Sequence, residues 1–122
     1  MATILLSIRP EYVEAILAGN KKYEFRKRLS QKSVEKIVIY ATTPIKAIVG
    51  EVVVTGTIEM SPKKLWETTK TEAGISQKKF KQYFADCDKA YAYRLGKVTV
   101  YEDRKKLSDY GIFQAPQSYV YL

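Results

Sequence analysis

The segment from Gly19 to Arg26 concentrates polar groups where one predicted element ends and another begins. Lys22, Glu24 and Arg26 alternate with aromatic residues, so they share one face of a predicted strand. Lys21 lies at the corner before that strand, where its side chain can point to either side. A carboxylate between two cations is stabilised in its ionised form. The pattern predicts the floor of a polar pocket that recognises a base or a phosphate; a solvated ladder of salt bridges is the alternative.

The absence of histidine and the single cysteine limit the chemistry that such a pocket can perform. No Ser-His-Asp or Cys-His catalytic arrangement can form, and a disulfide within the chain is impossible. Cys87 lies between Asp86 and Asp88, an acidic setting that disfavours a nucleophilic thiolate. We therefore expect neither a metal nor a cofactor.

The 122-residue chain carries 21 Lys and Arg residues against 13 Asp and Glu residues, a net charge of +8. The cations are concentrated in two regions. The first holds Lys21, Lys22, Arg26, Lys27, Arg28 and Lys32, and the second holds Lys63, Lys64, Lys70, Lys78, Lys79 and Lys81. The resulting potential attracts phosphates and predicts a face that binds nucleic acid. A lysine-rich solvated surface is the alternative, whereas a membrane-surface protein would need an amphipathic basic helix that is not evident.

Two further groups of residues are candidates for ligand contact. Gln117, in segment 116–119, can exchange hydrogen bonds with a base edge or can simply cap the entry to a strand. Most of the ten tyrosines are expected in the core, with one or two free to stack on an unpaired base. Trp66 is predicted to pack in the core rather than against a ligand.

Hydrophobic spacing and capping residues predict more strands than helices. Strands are expected over residues 4–8, 22–26, 37–41, 47–58, 90–101 and 115–122. Gly50 or Gly56 would mark a bend in the fourth strand, and Gly96 an interruption of the fifth. Helices are expected after the first strand and after the N-caps Ser61 and Ser76. The elements predict one α+β domain over residues 1–122, a small, bent, mixed β-barrel flanked by about three helices.

The start of the chain predicts a soluble protein. A very short apolar stretch precedes Arg9, which is the reverse of the order in a secretory signal. No stretch approaches the roughly 18 apolar residues that a membrane span needs. We therefore expect a cytoplasmic location and no membrane partner.

Segments 6–10 and 16–26 resemble the opening of the ASCH domain: a strand, a helix and the signature glycine-x-lysine-x-x-(glutamate or threonine)-x-arginine. Segments 40–44, 48–51 and 116–119 are similar to its small stand-alone members, so the resemblance covers about residues 4–122. It implies a PUA-like fold, a small bent β-barrel flanked by helices. It also implies an RNA-binding cleft lined by the signature, and a regulatory role in transcription or translation.

The resemblance implies candidate catalytic residues as well. Some ASCH proteins hydrolyse N4-acetylcytidine with the signature lysine, the threonine and a glutamate after the middle strands, and others cleave RNA. Lys21 matches the lysine, Glu24 stands in place of the threonine, and Glu72 is the candidate for the third residue. A threonine hydroxyl can attack an amide carbon, whereas a carboxylate accepts hydrogen bonds from a base or activates water. The amidohydrolase mechanism therefore does not transfer intact.

The first hypothesis is a non-catalytic protein that binds RNA or a modified nucleoside. Its predicted ligand-binding residues are Ser7, Arg9, Lys21, Lys22, Glu24, Arg26, Tyr40, Lys78, Lys79, Gln117 and Ser118. The second hypothesis is a hydrolase of an acylated nucleoside or of RNA that uses Lys21 with Glu24 or Glu72. A protein-binding adaptor that regulates transcription is the third.

Overall fold

Two long antiparallel strands, β4 (Ala47–Met60) and β5 (Ala90–Lys105), form the centre of a six-stranded sheet. The other strands are β1 (Ala2–Ile8), β2 (Tyr23–Arg26), β3 (Val34–Ala41) and β6 (Tyr119–Tyr121). Their spatial order is β2-β5-β4-β3-β1-β6, with β1 parallel to β3 and every other pair antiparallel. The computed structural model describes all residues 1–122. It confirms the prediction of a bent, mixed α+β architecture, in the form of a half-barrel.

The sheet bends where β4 and β5 change register. Shifts occur just before Gly50 and just before Gly56, as predicted for these glycines, and such bulges increase the local twist. At Gly96 β5 continues as a strand, but its register with β4 shifts there, between the pairs Val52–Val98 and Val54–Leu95. Arg26 links the edge strand β2 to β1 near the opposite edge of the curved sheet, because its Nη2 donates a hydrogen bond to the Ser7 carbonyl at 2.9 Å.

Three helices pack on the sheet: α1 (Pro10–Leu17), α2 (Pro62–Thr69) and α3 (Gln77–Tyr83). The predicted N-caps are confirmed, since the Ser61 hydroxyl accepts from the Lys64 N–H and the Ser76 hydroxyl from the Lys79 N–H. A 3-10 turn, Lys70–Glu72, connects α2 towards α3. None of these helices has the length and apolar character that crossing a bilayer would require.

Two apolar clusters hold the helices in place. The larger joins α1 to β1, β3, β4 and β5. The smaller joins α2 and α3 to β2, β4 and β5, and its Phe25, Phe80 and Phe84 rings pack edge to face. Because Phe25 anchors β2 in this cluster, Glu24 and Arg26 on either side of it project towards the other face of the strand.

The last strand is shorter than the sequence predicts. β6 contains only Tyr119–Tyr121, paired with β1, and residues 115–118 form a loop. Pro116 has no N–H to donate to a ladder, and its carbonyl instead accepts a hydrogen bond from the Ser7 hydroxyl at 2.7 Å. The prediction of a strand from residue 115 is therefore wrong, and the loop lies beside the end of β1.

Candidate functional site

An open cleft of about 800 Å³ lies where α1, α3, β2 and the C-terminal loop converge. Its lining residues are Ser7, Ile8, Arg9, Tyr12, Lys21, Glu24, Phe25, Arg26, Lys27, Thr42, Ile75, Lys79, Gln82, Tyr83, Pro116 and Gln117. Five of these side chains are cationic and one, Glu24, is acidic, so the cleft attracts anions. No cluster of three or more cysteine, aspartate and glutamate side chains that could hold a metal occurs in the structure.

Lys21 points into the cleft and is almost completely buried. The turn that follows α1 directs its side chain inward, and only 3% of the residue is exposed. Its Nζ donates a hydrogen bond to the Ala73 carbonyl at 2.6 Å. The same nitrogen lies 4.7 Å from the centre of the Phe25 ring and 5.2 Å from the centre of the Tyr12 ring. These contacts fix the direction of the Lys21 side chain, which the sequence allowed to point to either side of the corner before β2.

Burial lowers the pKa of the Lys21 ammonium from 10.5 to about 8. The negative charge of Glu24 opposes this effect, and the positive charge of Arg26 adds to it. At pH 7 about one Lys21 side chain in ten is then neutral, against fewer than about one in a thousand for an ordinary lysine. A lysine in this range can give up or take a proton near neutral pH.

Glu24 and Arg26 form an ion pair beside Lys21, and we call these three residues the floor of the cleft. Glu24 Oε2 accepts from Arg26 Nε at 2.9 Å and lies 2.7 Å from Nη2, with the side chains 7% and 16% exposed. Nη2 also donates the hydrogen bond to the Ser7 carbonyl that links β2 to β1. Arg26 Nη1 and Glu24 Oε1 make no hydrogen bond within the chain. Every polar side-chain atom that is buried in the structure has a hydrogen-bond partner, so these two atoms are not buried. Both atoms are therefore accessible to a ligand in the cleft.

Arg9, Lys27 and Lys79 are exposed cations that we call the mouth of the cleft. Lys79 on α3 pairs with Glu11 on α1 at 3.1 Å, with both side chains about half exposed. This hydrogen-bonded pairing raises the pKa of Lys79. The Lys27 Nζ lies 5.1 Å from the centre of the Tyr83 ring, and Tyr83 is 38% exposed. The mouth thus combines exposed positive charge with an accessible aromatic surface.

The structure brings together seven of the residues that the sequence nominated. They are Ser7, Arg9, Lys21, Glu24, Arg26, Lys79 and Gln117. Ser7 acts through its hydrogen bonds to other residues. Its hydroxyl donates to the Pro116 carbonyl, and its own carbonyl accepts from Arg26 Nη2. These bonds explain why Gln117, distant in sequence, lines the same cleft as the signature residues.

Tyr40 and Glu72 lie outside the cleft. Tyr40 is buried in a separate apolar cluster, while its neighbour Ile39 belongs to the main core, because successive residues of a strand point to opposite faces. Glu72 is exposed at the end of the 3-10 turn, and its side chain does not line the cleft. The group that meets Lys21 is the carbonyl of the next residue, Ala73.

Lys22, Lys78 and Ser118 also lie outside the cleft. The backbone of Lys22 bonds to Glu72 and Leu95 just before β2 begins, and its partly exposed side chain does not line the cleft. Lys78 is exposed about 100° around α3 from Lys79. Ser118 contributes its carbonyl, which accepts from the Ser7 N–H at 3.1 Å, and its side chain is exposed elsewhere.

Sequence reasoning did not assign several lining residues to the site: Tyr12, Phe25, Lys27, Gln82 and Tyr83. Lys79, Gln82 and Tyr83 follow one another at i, i+3 and i+4, which is the spacing of a shared helix face. This signal was obscured because Tyr83 also fits the apolar stripe that Phe80 and Phe84 define. Only Phe80 and Phe84 of that stripe are buried.

The sequence model of the ASCH domain matches residues 6–108, a range that includes the entire floor of the cleft. The chain belongs to the ASCH domain family. The family resemblance carried by the signature from Gly19 to Arg26 is thereby confirmed.

Proteins from Zymomonas mobilis are similar in both sequence and structure. An ASCH domain-containing ribonuclease is 33% identical over 92 residues, which are 75% of this chain and 62% of that protein. Crystal structures of an ASCH protein from the same organism, one of them of a point variant, match with a TM-score of 0.91 and 28% to 29% identity. These matches cover 99% to 100% of this ASCH chain and 87% to 91% of those chains.

Other similar proteins differ more in length or sequence. A large ribosomal subunit protein uL22 from Ureaplasma parvum is 27% identical over 121 residues, which are 98% of this chain but 39% of that protein. This chain thus spans 62% of the ribonuclease and 39% of the ribosomal protein. The N-terminal domain of McrB from Staphylothermus marinus shares the fold alone, with a TM-score of 0.53 and 18% identity.

Proposed function

We propose that this ASCH protein binds an unpaired stretch of RNA, or a modified nucleoside within it, in the cleft. The observation that carries the proposal is the lining itself, which combines five cations, a single carboxylate and accessible tyrosine rings. Bases of a double helix are stacked and paired, whereas those of a single strand can enter a pocket. The size of the cleft, about 800 Å³, suits a nucleotide.

In this proposal the phosphates follow the mouth and one base enters towards the floor. Arg9 and Lys27 are free to contact phosphates, because neither is held in an ion pair. Tyr83 offers a ring for stacking. Glu24 Oε1 and the amide of Gln117 are positioned in the lining to exchange hydrogen bonds with a base edge.

The binding proposal is tested with a fluorescently labelled, unstructured RNA whose anisotropy is followed over a series of salt concentrations. Lys27→Ala should weaken binding several-fold and reduce the salt slope by about one counterion. Lys97→Ala removes the same charge from an exposed position of β5 outside the cleft and is the matched control. Equal effects of the two substitutions would show that only net charge matters and would contradict a binding site in the cleft.

The placement of Lys21 favours a second function, cleavage of the bound RNA by transesterification. In this reaction the 2′-oxygen attacks the adjacent phosphorus, a 2′,3′-cyclic phosphate forms, and the 5′-oxygen leaves. Glu24 would accept the proton of the 2′-hydroxyl, and the Lys21 ammonium would donate one to the leaving oxygen. The ribonuclease name of the Zymomonas mobilis relative supports this candidate over hydrolysis of N4-acetylcytidine, for which Glu24 replaces the threonine.

Incubation with labelled RNA and, separately, with N4-acetylcytidine distinguishes the two reactions. Lys21→Arg keeps the positive charge but cannot release a proton near neutral pH. It should slow RNA cleavage by about 100-fold or more while leaving RNA affinity within a few-fold. If Lys21 is the acid, cleavage should also decline above pH 8, where the ammonium loses its proton. Absence of turnover with both substrates would leave binding as the function, and unchanged cleavage by Lys21→Arg would exclude Lys21 as the acid.

A further inference from the structure

The backbone of Ala73 and Gly74 packs directly against Lys21. Gly74 has a φ of +64°, and a Cβ built on it would lie 2.5 Å from Lys21 Cβ, 2.6 Å from Cγ and 3.0 Å from Cδ. These separations are far shorter than the optimal distance of about 3.5 to 4.0 Å between carbon atoms. No side chain therefore fits between this turn and the lysine stem. The carbonyl just before it, that of Ala73, accepts the hydrogen bond from Nζ.

We propose that Gly74 is a positioning residue for Lys21: its missing side chain lets the turn lie against the lysine stem and aims the ammonium at the Ala73 carbonyl. The turn cannot retreat from an added side chain, because Ala73 is fully buried in the smaller apolar cluster. Lys21 would have to move instead. The inference rests on the second proposed function, RNA cleavage, in which Lys21 is the reacting group.

The surroundings of Lys21 determine what such a movement would do. The titratable groups nearest to it are Tyr12 from α1 and Glu24 and Arg26 from β2, with Lys79 and Tyr83 of α3 in the same cleft. The Ala73–Gly74 turn contributes no charged side chain. Movement away from the turn therefore returns the ammonium to the open cleft and to water. Because burial is the main cause of its lowered pKa, that pKa should rise towards its ordinary value.

The test compares Gly74→Ala with Gly111→Ala. Gly111 has a similar φ, +72°, but nothing lies within 4 Å of a Cβ built there. Both substitutions impose the same type of backbone strain, and only the first adds a contact with Lys21. The measurement is an NMR titration of the labelled lysine side chains, with the Lys21 signal assigned by its loss in Lys21→Arg. Lys21 should titrate near 8 in the unaltered protein and in Gly111→Ala, and about one pKa unit or more higher in Gly74→Ala.

A folded Gly74→Ala protein in which Lys21 titrates as in the unaltered protein would overturn the inference. Should Gly74→Ala fail to fold, the unaltered protein supplies the deciding measurement. The Lys21 ammonium should show a scalar coupling through its hydrogen bond to the Ala73 carbonyl carbon and slower proton exchange than the exposed lysines. Exchange as fast as theirs would overturn the inference. None of these measurements involves RNA, so failure of the inference and failure of the proposed function can be told apart.

Discussion

Two lysines of one cleft illustrate opposite effects of their surroundings. Lys21 on the floor is 3% exposed, and burial lowers its pKa, whereas Lys79 at the mouth is about half exposed, and pairing with Glu11 raises its pKa. Both belong to the basic segments of the sequence, and nothing in residue type separates them. Burial thus decides which cation can exchange a proton near neutral pH and which remains a fixed positive charge.

The largest difference between floor and mouth is expected in stability. Arg26→Met leaves the Glu24 carboxylate buried without its partner and the Ser7 carbonyl without its donor. It should lower the free energy of unfolding by about 3 to 5 kcal/mol. Lys79→Met should lower it far less, since exposed ion pairs contribute little. Urea denaturation at pH 7 measures both.

A second substitution shows whether the loss of stability in Arg26→Met comes from the unpaired Glu24 carboxylate. Adding Glu24→Gln to Arg26→Met removes the uncompensated carboxylate, so part of the lost stability should return. If the double variant is less stable than Arg26→Met alone, the charge of Glu24 is not the cause. Equal losses for Arg26→Met and Lys79→Met would remove the energetic distinction between floor and mouth.

The next effect is a dependence of stability on pH through Lys21. Its pKa is about 8 in the folded protein and 10.5 in the unfolded chain, so the unfolded chain binds more protons between these values. Lys21 therefore opposes folding below pH 8, and this penalty disappears as the pH rises to 10.5, a change of about 3 kcal/mol at most. The difference between the unaltered protein and Lys21→Met, measured by urea denaturation across this range, isolates the effect from nearby tyrosines. Parallel stability profiles for the two proteins would contradict the burial of a charged Lys21.

For Lys79 at the mouth, the dependence of stability on pH has the opposite sign. The pKa of Lys79 is raised in the folded protein, so its pairing with Glu11 stabilises the fold below pH 10.5 and loses its effect as the pH rises further. The stability profile of Lys79→Met should therefore converge on that of the unaltered protein at high pH. The stability profile of Lys21→Met should also converge on that of the unaltered protein at high pH, but the difference between them has the opposite sign.

The smallest effect is expected from releasing Lys79. Glu11→Gln frees its ammonium for phosphate contact and should tighten RNA binding by about two- to five-fold at low salt. Glu59→Gln is the matched control, because Glu59 forms a similar exposed pair with Lys89 outside the cleft. An equal gain in the control, measured by anisotropy, would attribute the effect to net charge and not to the mouth.

Local signals predicted much of this fold. Ser61 and Ser76 begin helices because their hydroxyls reach backbone N–H groups three residues away. Gly50 and Gly56 mark register shifts. The start of β6 was placed too early, because the bond between Pro116 and Ser7 joins residues from opposite ends of the chain. Gly96 also lies at a register shift, but its local preference does not reveal that pairing with β4 keeps β5 continuous through it.

The family, the mixed sheet with its helices, and the basic signature with Lys21, Glu24 and Arg26 could all be predicted from the amino-acid sequence. These features depend on residue types and spacing within short segments. The burial of Lys21 against Ala73, and the position of Glu72 outside the cleft, became evident from the three-dimensional fold alone. The reason is physical: burial and the direction of a side chain depend on contacts between segments far apart in sequence. The same contacts set the proton affinity of Lys21.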